Sequence, residues 1–221
     1  MTGILVLGTG GHARSCLDVA LAAGIDVRGC VGPEPTGRLQ VPHLGNDDSL
    51  ARLRDSGASE AFVAVGDNRL RQRLSEQVRH LGFRLRAVVS PHAVIAPNAS
   101  IGDGAVVMHQ ASIGPYSTLG TGAILNTSAS IDHDCVLGDF AHAAPGTHLA
   151  GDVVVGEGAF LGVGCSVIPG VVIGEWVTAG AGATVVAGRT AILGLTNLAE
   201  SPVAAQIQPG VRCNVQVRIG T

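Results

Sequence analysis

The sequence contains no lysine, few aromatics (3%) and few charged residues (14%). Scarce aromatics exclude an ordinary globular core, which needs large side chains to fill its volume. Yet 46% of the 221 residues are hydrophobic, so the chain is not disordered and is long enough for one sizeable domain or two small ones. Its basic residues are 14 arginines against 17 acids, a net charge of −3, with no basic run. Neither nucleic acid nor an anionic membrane is expected as a partner. Cys16, Cys30, Cys135, Cys165 and Cys213 are odd in number and lack the CxxC spacing of a zinc or redox site, which predicts reduced thiols. No stretch approaches the ~18 continuous apolar residues of a membrane span, and the run Ile4 to Leu7 breaks at Gly8, too short for a signal-peptide core. A cytoplasmic location is the expectation.

What is abundant is glycine, at 32 residues, and it is distributed in two ways. Over residues 1–90 it punctuates an alternation of elements. An apolar strand (Gly3 to Leu7) enters Gly8-Thr9-Gly10-Gly11, and a helix-like stretch from Ala13 to Ala23 ends at Gly24. Strand candidates follow at Val27 to Val31 and Ala61 to Val65, with helices at Asp48 to Ser56 and Arg69 to Leu81. This order predicts a small Rossmann-like β/α domain with a parallel sheet.

From Ile95 the period becomes six. Residues 95–190 divide into sixteen hexapeptides with none left over, of which fourteen begin with Ile, Leu or Val and fifteen carry Ala, Ser, Cys, Thr or Val at the fifth place. That pattern predicts a three-sided parallel β-helix over 91–190, with three hexapeptides per coil and about five coils stacked at the strand spacing of ~4.8 Å. The first residue points inward, the small fifth residue fits where faces converge, and glycine takes backbone conformations that a Cβ disfavours. The N-terminal domain is expected to cover one open end and a tail, 191–221, to cap the other. A prism without long loops has no pocket of its own, so a site is expected between subunits, with a homotrimer as the natural assembly.

Four histidines lie in the repeats: His109, His133, His142 and His148. For His109 and His148 a solvated or interface side chain is the plain reading. His133 differs because Asp132 and Asp134 flank it; a carboxylate on one ring nitrogen fixes the tautomer and raises the basicity of the other, as a general base requires. The glycine turn entering the first helix offers free N–H groups and a positive dipole end to a phosphate, or is simply a tight turn. It is not a full dinucleotide fingerprint, since Ala13 stands where the last glycine would be.

These motifs together resemble the sugar O- and N-acyltransferases of the left-handed β-helix superfamily that modify sialic acid, bacillosamine precursors and perosamine. The resemblance spans about residues 3–190. It rests on Gly8-Thr9-Gly10-Gly11-His12-Ala13, Gly66-Asp67-Asn68-Arg69-Leu70-Arg71, Asn126-Thr127, Asp132-His133-Asp134-Cys135, Ala144-Pro145-Gly146 and Gly180-Ala181-Gly182-Ala183. It implies direct acyl transfer from acetyl-coenzyme A, without a metal, to an amine or hydroxyl of a sugar, with His133 as general base and Asp134 polarising it. It implies that Gly8, Gly10, Gly11, His12, Gly66, Asn68, Arg69 and Asn126 serve the acceptor, a nucleotide-activated sugar. It further implies that His142, Gly151, Val163, Gly180, Ala181 and Gly182 line the donor's pantetheine arm. Two segments depart from the family: Gly32-Pro33-Glu34 after the second strand, where an acidic residue assists nucleotide binding, and Leu193 to Leu198 in place of a Gly-Val-Pro-Ala-type segment near coenzyme A.

Two other readings stand beside this one. A γ-type carbonic anhydrase-like zinc hydratase would use His109, His142 and His148, although the last two are six apart rather than five. A non-catalytic sugar-nucleotide-binding trimer would need no base at His133.

Overall fold

The computed structural model describes residues 3–186. Its N-terminal part holds β1 (Ile4–Leu7), α1 (Gly11–Ala22), β2 (Val27–Val31), α2 (Leu50–Asp55), β3 (Glu60–Val63), α3 (Asn68–His80) and β4 (Arg84–Leu85). The four strands form one parallel sheet in the order β2-β1-β3-β4. The sheet needs helices on its faces, and Ala13, Cys16, Leu17, Val19 and Ala20 of α1 supply an apolar stripe on one of them. The short strand β4 was not foreseen, because two residues carry no period. α1 also starts two residues earlier than Ala13, at Gly11.

From Val88 to Val185 the chain is a left-handed parallel β-helix of two-residue strands, each paired with the strand eighteen residues on. One hexapeptide strand precedes Ile95: Val88–Val89 pairs with Val106–Val107, and Val94–Ile95 then pairs with Ser112–Ile113. Three faces result. The docking face stacks Val88–Val89, Val106–Val107, Ile124–Leu125, His142–Ala143, Phe160–Leu161 and Thr178–Ala179. The serine face runs from Val94–Ile95 through Ser112–Ile113, Ser130–Ile131, His148–Leu149 and Ser166–Val167 to Thr184–Val185. The valine face has five strands, Ser100–Ile101, Thr118–Leu119, Val136–Leu137, Val154–Val155 and Val172–Ile173.

In every strand the second residue points inward, and Leu125, Ile131, Leu137, Leu149, Val155 and Leu161 are buried in one axial column. Each such side chain contributes about 1.5–3 kcal/mol of burial, so the column replaces an aromatic core. The fourth residue of every hexapeptide from 104 to 182 has a left-handed backbone. It is glycine at seven of these places and Gln110, Tyr116, Ser128, Asp134, Phe140, Asp152 or Trp176 at the others. At this corner a non-glycine residue is strained by about 1–2 kcal/mol, which the stacked coils on either side hold in place.

The N-terminal domain lies along the flank of the prism rather than over its open end. Val88, Val106 and Ile124 point outward from the docking face and are buried against α1 and β1 residues such as Leu17 and Val6. An outward apolar ladder must be covered, whereas the inward residues of the open first coil, Ile95, Ala99 and Ile101, stay only partly buried. The proposed cap at 191–221 lies outside the described residues. Cys16, Cys30, Cys135 and Cys165 are free and buried, and no helix among the described residues is long and apolar enough to cross a membrane.

Candidate active site

The corner joining the serine face to the valine face carries Asp132, His133 and Asp134. Asp134 occupies the left-handed corner place, φ 57°, and its carboxylate oxygen lies 2.8 Å from His133 Nδ1. A carboxylate only accepts, so Nδ1 carries the proton and Nε2 the lone pair. The His133 backbone N–H donates to Asp132 Oδ1 at 2.8 Å, and its carbonyl accepts from the Asp152 N–H at 2.9 Å. The ring is thus tied by backbone and side chain while remaining more than half exposed. The Asp134 hydrogen bond raises its pKa above the ordinary histidine value against a small desolvation, helped by the charges of Asp132, Asp134 and Asp152. One coil along, Gly151 lies beneath the ring, where a Cβ would overlap Cε1 and Nε2.

A different polar group is buried between the docking face and the N-terminal domain. The Thr127 N–H donates to Asn126 Oδ1 at 2.8 Å, which fixes the amide so that Nδ2 faces His142 Nε2 at 3.0 Å. Nε2 therefore accepts and the His142 proton sits on Nδ1, which is buried toward the Gly66 backbone. The His142 ring stands edge-on to Phe160, centroids 5.2 Å apart, and 6.0 Å from the ring of His12. Burial, then the charges of Arg71 and His12, push the His142 pKa down to about 3; burial and Arg71 push His12 to about 4. Both rings are neutral at physiological pH.

Within one chain the two groups are apart. His133 and Gly151 sit on the corner opposite the docking face that bears His142. Val163, 56% exposed, and Gly180, Ala181 and Gly182 lie along the third line, the corner joining docking and serine faces, where the Gly182 N–H donates to the Val163 carbonyl at 2.8 Å.

The remaining acceptor candidates gather at the C-terminal ends of β1 and β3. Gly8, φ 127°, approaches Ala64 so closely that a Cβ would be 2.6 Å from its carbonyl oxygen. Gly10 and Gly11 are exposed at the start of α1, which has no side-chain cap and no acid in its first turn. His12 follows them and faces Gly66. Asn68 is buried, its Nδ2 within 3.0 and 3.2 Å of the Gly158 and Ala159 carbonyls, so it bonds the prism directly. The Arg69 guanidinium stacks 4.1 Å over the Trp176 ring.

The other histidines have local partners. His109 lies 2.7 Å from Ser90 Oγ and 3.1 Å from Asp18 of α1, while His148 lies 2.8 Å from Ser130 Oγ on the serine face. His142 lies on the docking face and His148 on the serine face, so one chain does not bring the two together. Among the described residues no group of three or more His, Cys, Asp or Glu could hold a metal ion.

Sequence reasoning missed Arg71 as a site residue. It is 1% exposed, and the signal that could have found it is its place at the end of the Gly66–Arg71 motif, three residues after Asn68 on the same helical face.

Comparisons with known proteins agree with this architecture. The family model described as the PglD N-terminal domain matches residues 3–78, and that described as bacterial transferase hexapeptide (six repeats) matches residues 89–127. Among solved structures, PerB from Caulobacter crescentus, in complex with CoA and GDP-perosamine, is 45% identical at a TM-score of 0.82, over 85% of this chain and 90% of that one. The acetyltransferase domain of PglB from Neisseria gonorrhoeae, in complex with acetyl coenzyme A, is 36% identical at 0.77, over 83% and 90%. WeeI from Acinetobacter baumannii shares the fold at 21% identity and a TM-score of 0.56. A curated uncharacterized protein of Acanthamoeba polyphaga mimivirus is 30% identical over 106 residues, and the chain spans 21% of its length. With the fold, the exposed His-Asp corner and the extent of these matches taken together, the chain belongs to the left-handed β-helix sugar acyltransferases, the family of the perosamine and PglB acetyltransferases.

Proposed function

We propose that the protein moves an acetyl group from acetyl-coenzyme A to the amine of a nucleotide-linked amino sugar, at sites between the subunits of a homotrimer. The observation that carries this reading is the His133–Asp134 pair at 2.8 Å, with an exposed Nε2 over Gly151. His133 Nε2 takes a proton from the acceptor nitrogen as that nitrogen attacks the thioester carbonyl. The C–S bond then breaks, and the imidazolium returns the proton to the coenzyme A thiolate, which leaves as free thiol. Asp134 keeps the ring in its Nδ1–H tautomer throughout. The Gly151 N–H, beside the ring, is suited to the oxyanion.

The separation of the two halves supports the trimer. His133 on one prism corner needs an acceptor wall, and the Asn126–His142 wall faces away from it within the same chain. A neighbouring prism with its docking-face edge against that corner brings them together. Exposed Val136, Val163, Ile168 and Val172 supply apolar surface for such packing. The glycine turn at Gly8, Gly10 and Gly11, with the uncapped α1 N-terminus, is suited to the diphosphate of the acceptor.

GDP-perosamine, bound by the 45% identical relative, is the first acceptor to try, alongside other GDP-, UDP- and dTDP-linked amino sugars. Thiol release from acetyl-coenzyme A is the assay, with sedimentation to count subunits. No turnover with any acceptor, or full activity in His133→Ala, would overturn the mechanism; a monomer that turns over normally would overturn the intersubunit site.

A further inference from the structure

Among the described residues, the most deeply buried charged group is not at the His133 corner. Arg71 of α3 is 1% exposed, and all five of its N–H groups meet oxygens. Nε donates to the Gly122 carbonyl at 2.7 Å and Nη1 to the Val65 and Gly66 carbonyls at 3.0 and 3.2 Å. Nη2 donates to Asn68 Oδ1 at 2.8 Å and to the Phe140 carbonyl at 2.7 Å. None of these is a carboxylate. Asp67, whose charge reaches the guanidinium, has its own carboxylate on the Leu70 N–H at 2.7 Å. The guanidinium pairs four buried carbonyls that an apolar side chain would leave without partners, yet it buries a full positive charge with no carboxylate bonded to it, which costs several kcal/mol.

The acceptors show what the cation holds together. Val65 and Gly66 form the loop after β3, which touches His12 and so adjoins the glycine turn before α1. Gly122 and Phe140 are the left-handed corner residues of two successive coils. Each lies two residues before a docking-face strand, the first leading to Asn126 and the second to His142. A second, separate observation lies beside it: His142 is buried against the Gly66 backbone, on the loop that Arg71 also holds, and both His142 and His12 are held neutral beside that cation.

We infer that Arg71 is a positioning residue for the transfer reaction, a buried cation that keeps the Gly66 loop and the Asn126–His142 wall in register and makes the acceptor end of the site electropositive. The inference rests on the sugar-nucleotide reading above. The acceptor's diphosphate, at Gly10 and Gly11, supplies the negative charge that the protein leaves out. Neutral His12 and His142 leave Arg71 as the fixed cation beside that diphosphate.

The test uses the full chain, labelled with 15N-histidine, as wild type and as Arg71→Met, Arg71→Gln and Arg71→Lys, with acetyl-coenzyme A and GDP-perosamine as substrates. In the Met and Gln variants His12 and His142 titrate about one pH unit or more higher. The KM for the acceptor rises about tenfold while that for acetyl-coenzyme A stays within about twofold. Arg71→Lys, which restores the charge, returns both titrations and most of the acceptor KM. Unchanged titrations in Arg71→Gln, or equal rises in both KM values that lysine does not rescue, overturn the inference, because a merely structural clamp behaves that way. If Arg71→Met fails to fold, Arg71→Gln carries the same reading. The ring titrations need no turnover, so they decide on Arg71 even if every acceptor fails.

Discussion

Two histidines nine places apart in one β-helix have opposite electrostatics. His133 stands at an exposed corner among Asp132, Asp134 and Asp152, and its pKa is raised. His142 points outward from a strand, but the N-terminal domain covers that face, and burial beside Arg71 takes its pKa to about 3. Place in the hexapeptide explains the exposure of the first, since third-place residues lie at corners. It does not explain the burial of the second, because sixth-place residues point outward and are covered only where another domain docks. One scaffold thus offers a proton acceptor on one edge and a neutral, oriented wall on another face.

The largest expected effect is on the exposed side. His133→Ala lowers kcat/KM by about 10²–10⁴-fold in steady-state assays, with no change in Tm, since only an exposed ring is lost. The buried side shows itself in stability against pH. His12 and His142 have folded pKa values of about 4 and about 3 against 6.5 unfolded. Between those values the unfolded chain binds more protons, so stability is fully present above pH 6.5 and falls as pH drops toward 4. The combined loss is on the order of a few kcal/mol, read as a falling Tm across that window. A flat Tm from pH 7 to 4 contradicts the buried, neutral pair.

Smaller effects sharpen the contrast. Gly151→Ala pushes a methyl group into the His133 ring and lowers kcat by about 10–100-fold, because the base leaves its near-attack position; wild-type kcat would place the working ring elsewhere. Asp134→Asn removes the chief cause of the raised His133 pKa. The acid limb of the kcat/KM profile therefore moves to lower pH while the plateau drops about tenfold. Smallest is Tyr116→Gly at an exposed left-handed corner, φ 59°. Removing the Cβ there relieves strain but adds unfolded-state entropy, for a net gain of up to about 1 kcal/mol in chemical denaturation.

The candidate base was legible because His133 and its orienting carboxylate are neighbours in sequence, and a left-handed corner turns one onto the other. Gly151 entered only through resemblance. Its physical role, leaving space for an imidazole eighteen residues earlier, depends on the stacking of coils. Asn68 shows the limit of motif reading: it was grouped with acceptor residues, yet its amide is bonded to the prism at Gly158 and Ala159. Arg71 closes a motif that carried the family resemblance, but nothing in the sequence marked its role, because its partners are mostly carbonyls, which every residue has.

The sequence by itself determined the prism. A period of six, with an inward aliphatic and a small fifth residue, is a local constraint repeated in each coil, and eighteen-residue stacking follows wherever the repeat runs. It also determined the β/α order of the first ninety residues, through apolar runs and glycine turns. Only the tertiary structure decided where that domain lies, along the docking face and not over the open end. Contacts such as Arg71 with Phe140 or Asn68 with Gly158 join residues 69 and 90 places apart and follow no period. That docking buries His12 and His142 beside a cation and leaves His133 in water, which gives the same side chain two different chemistries.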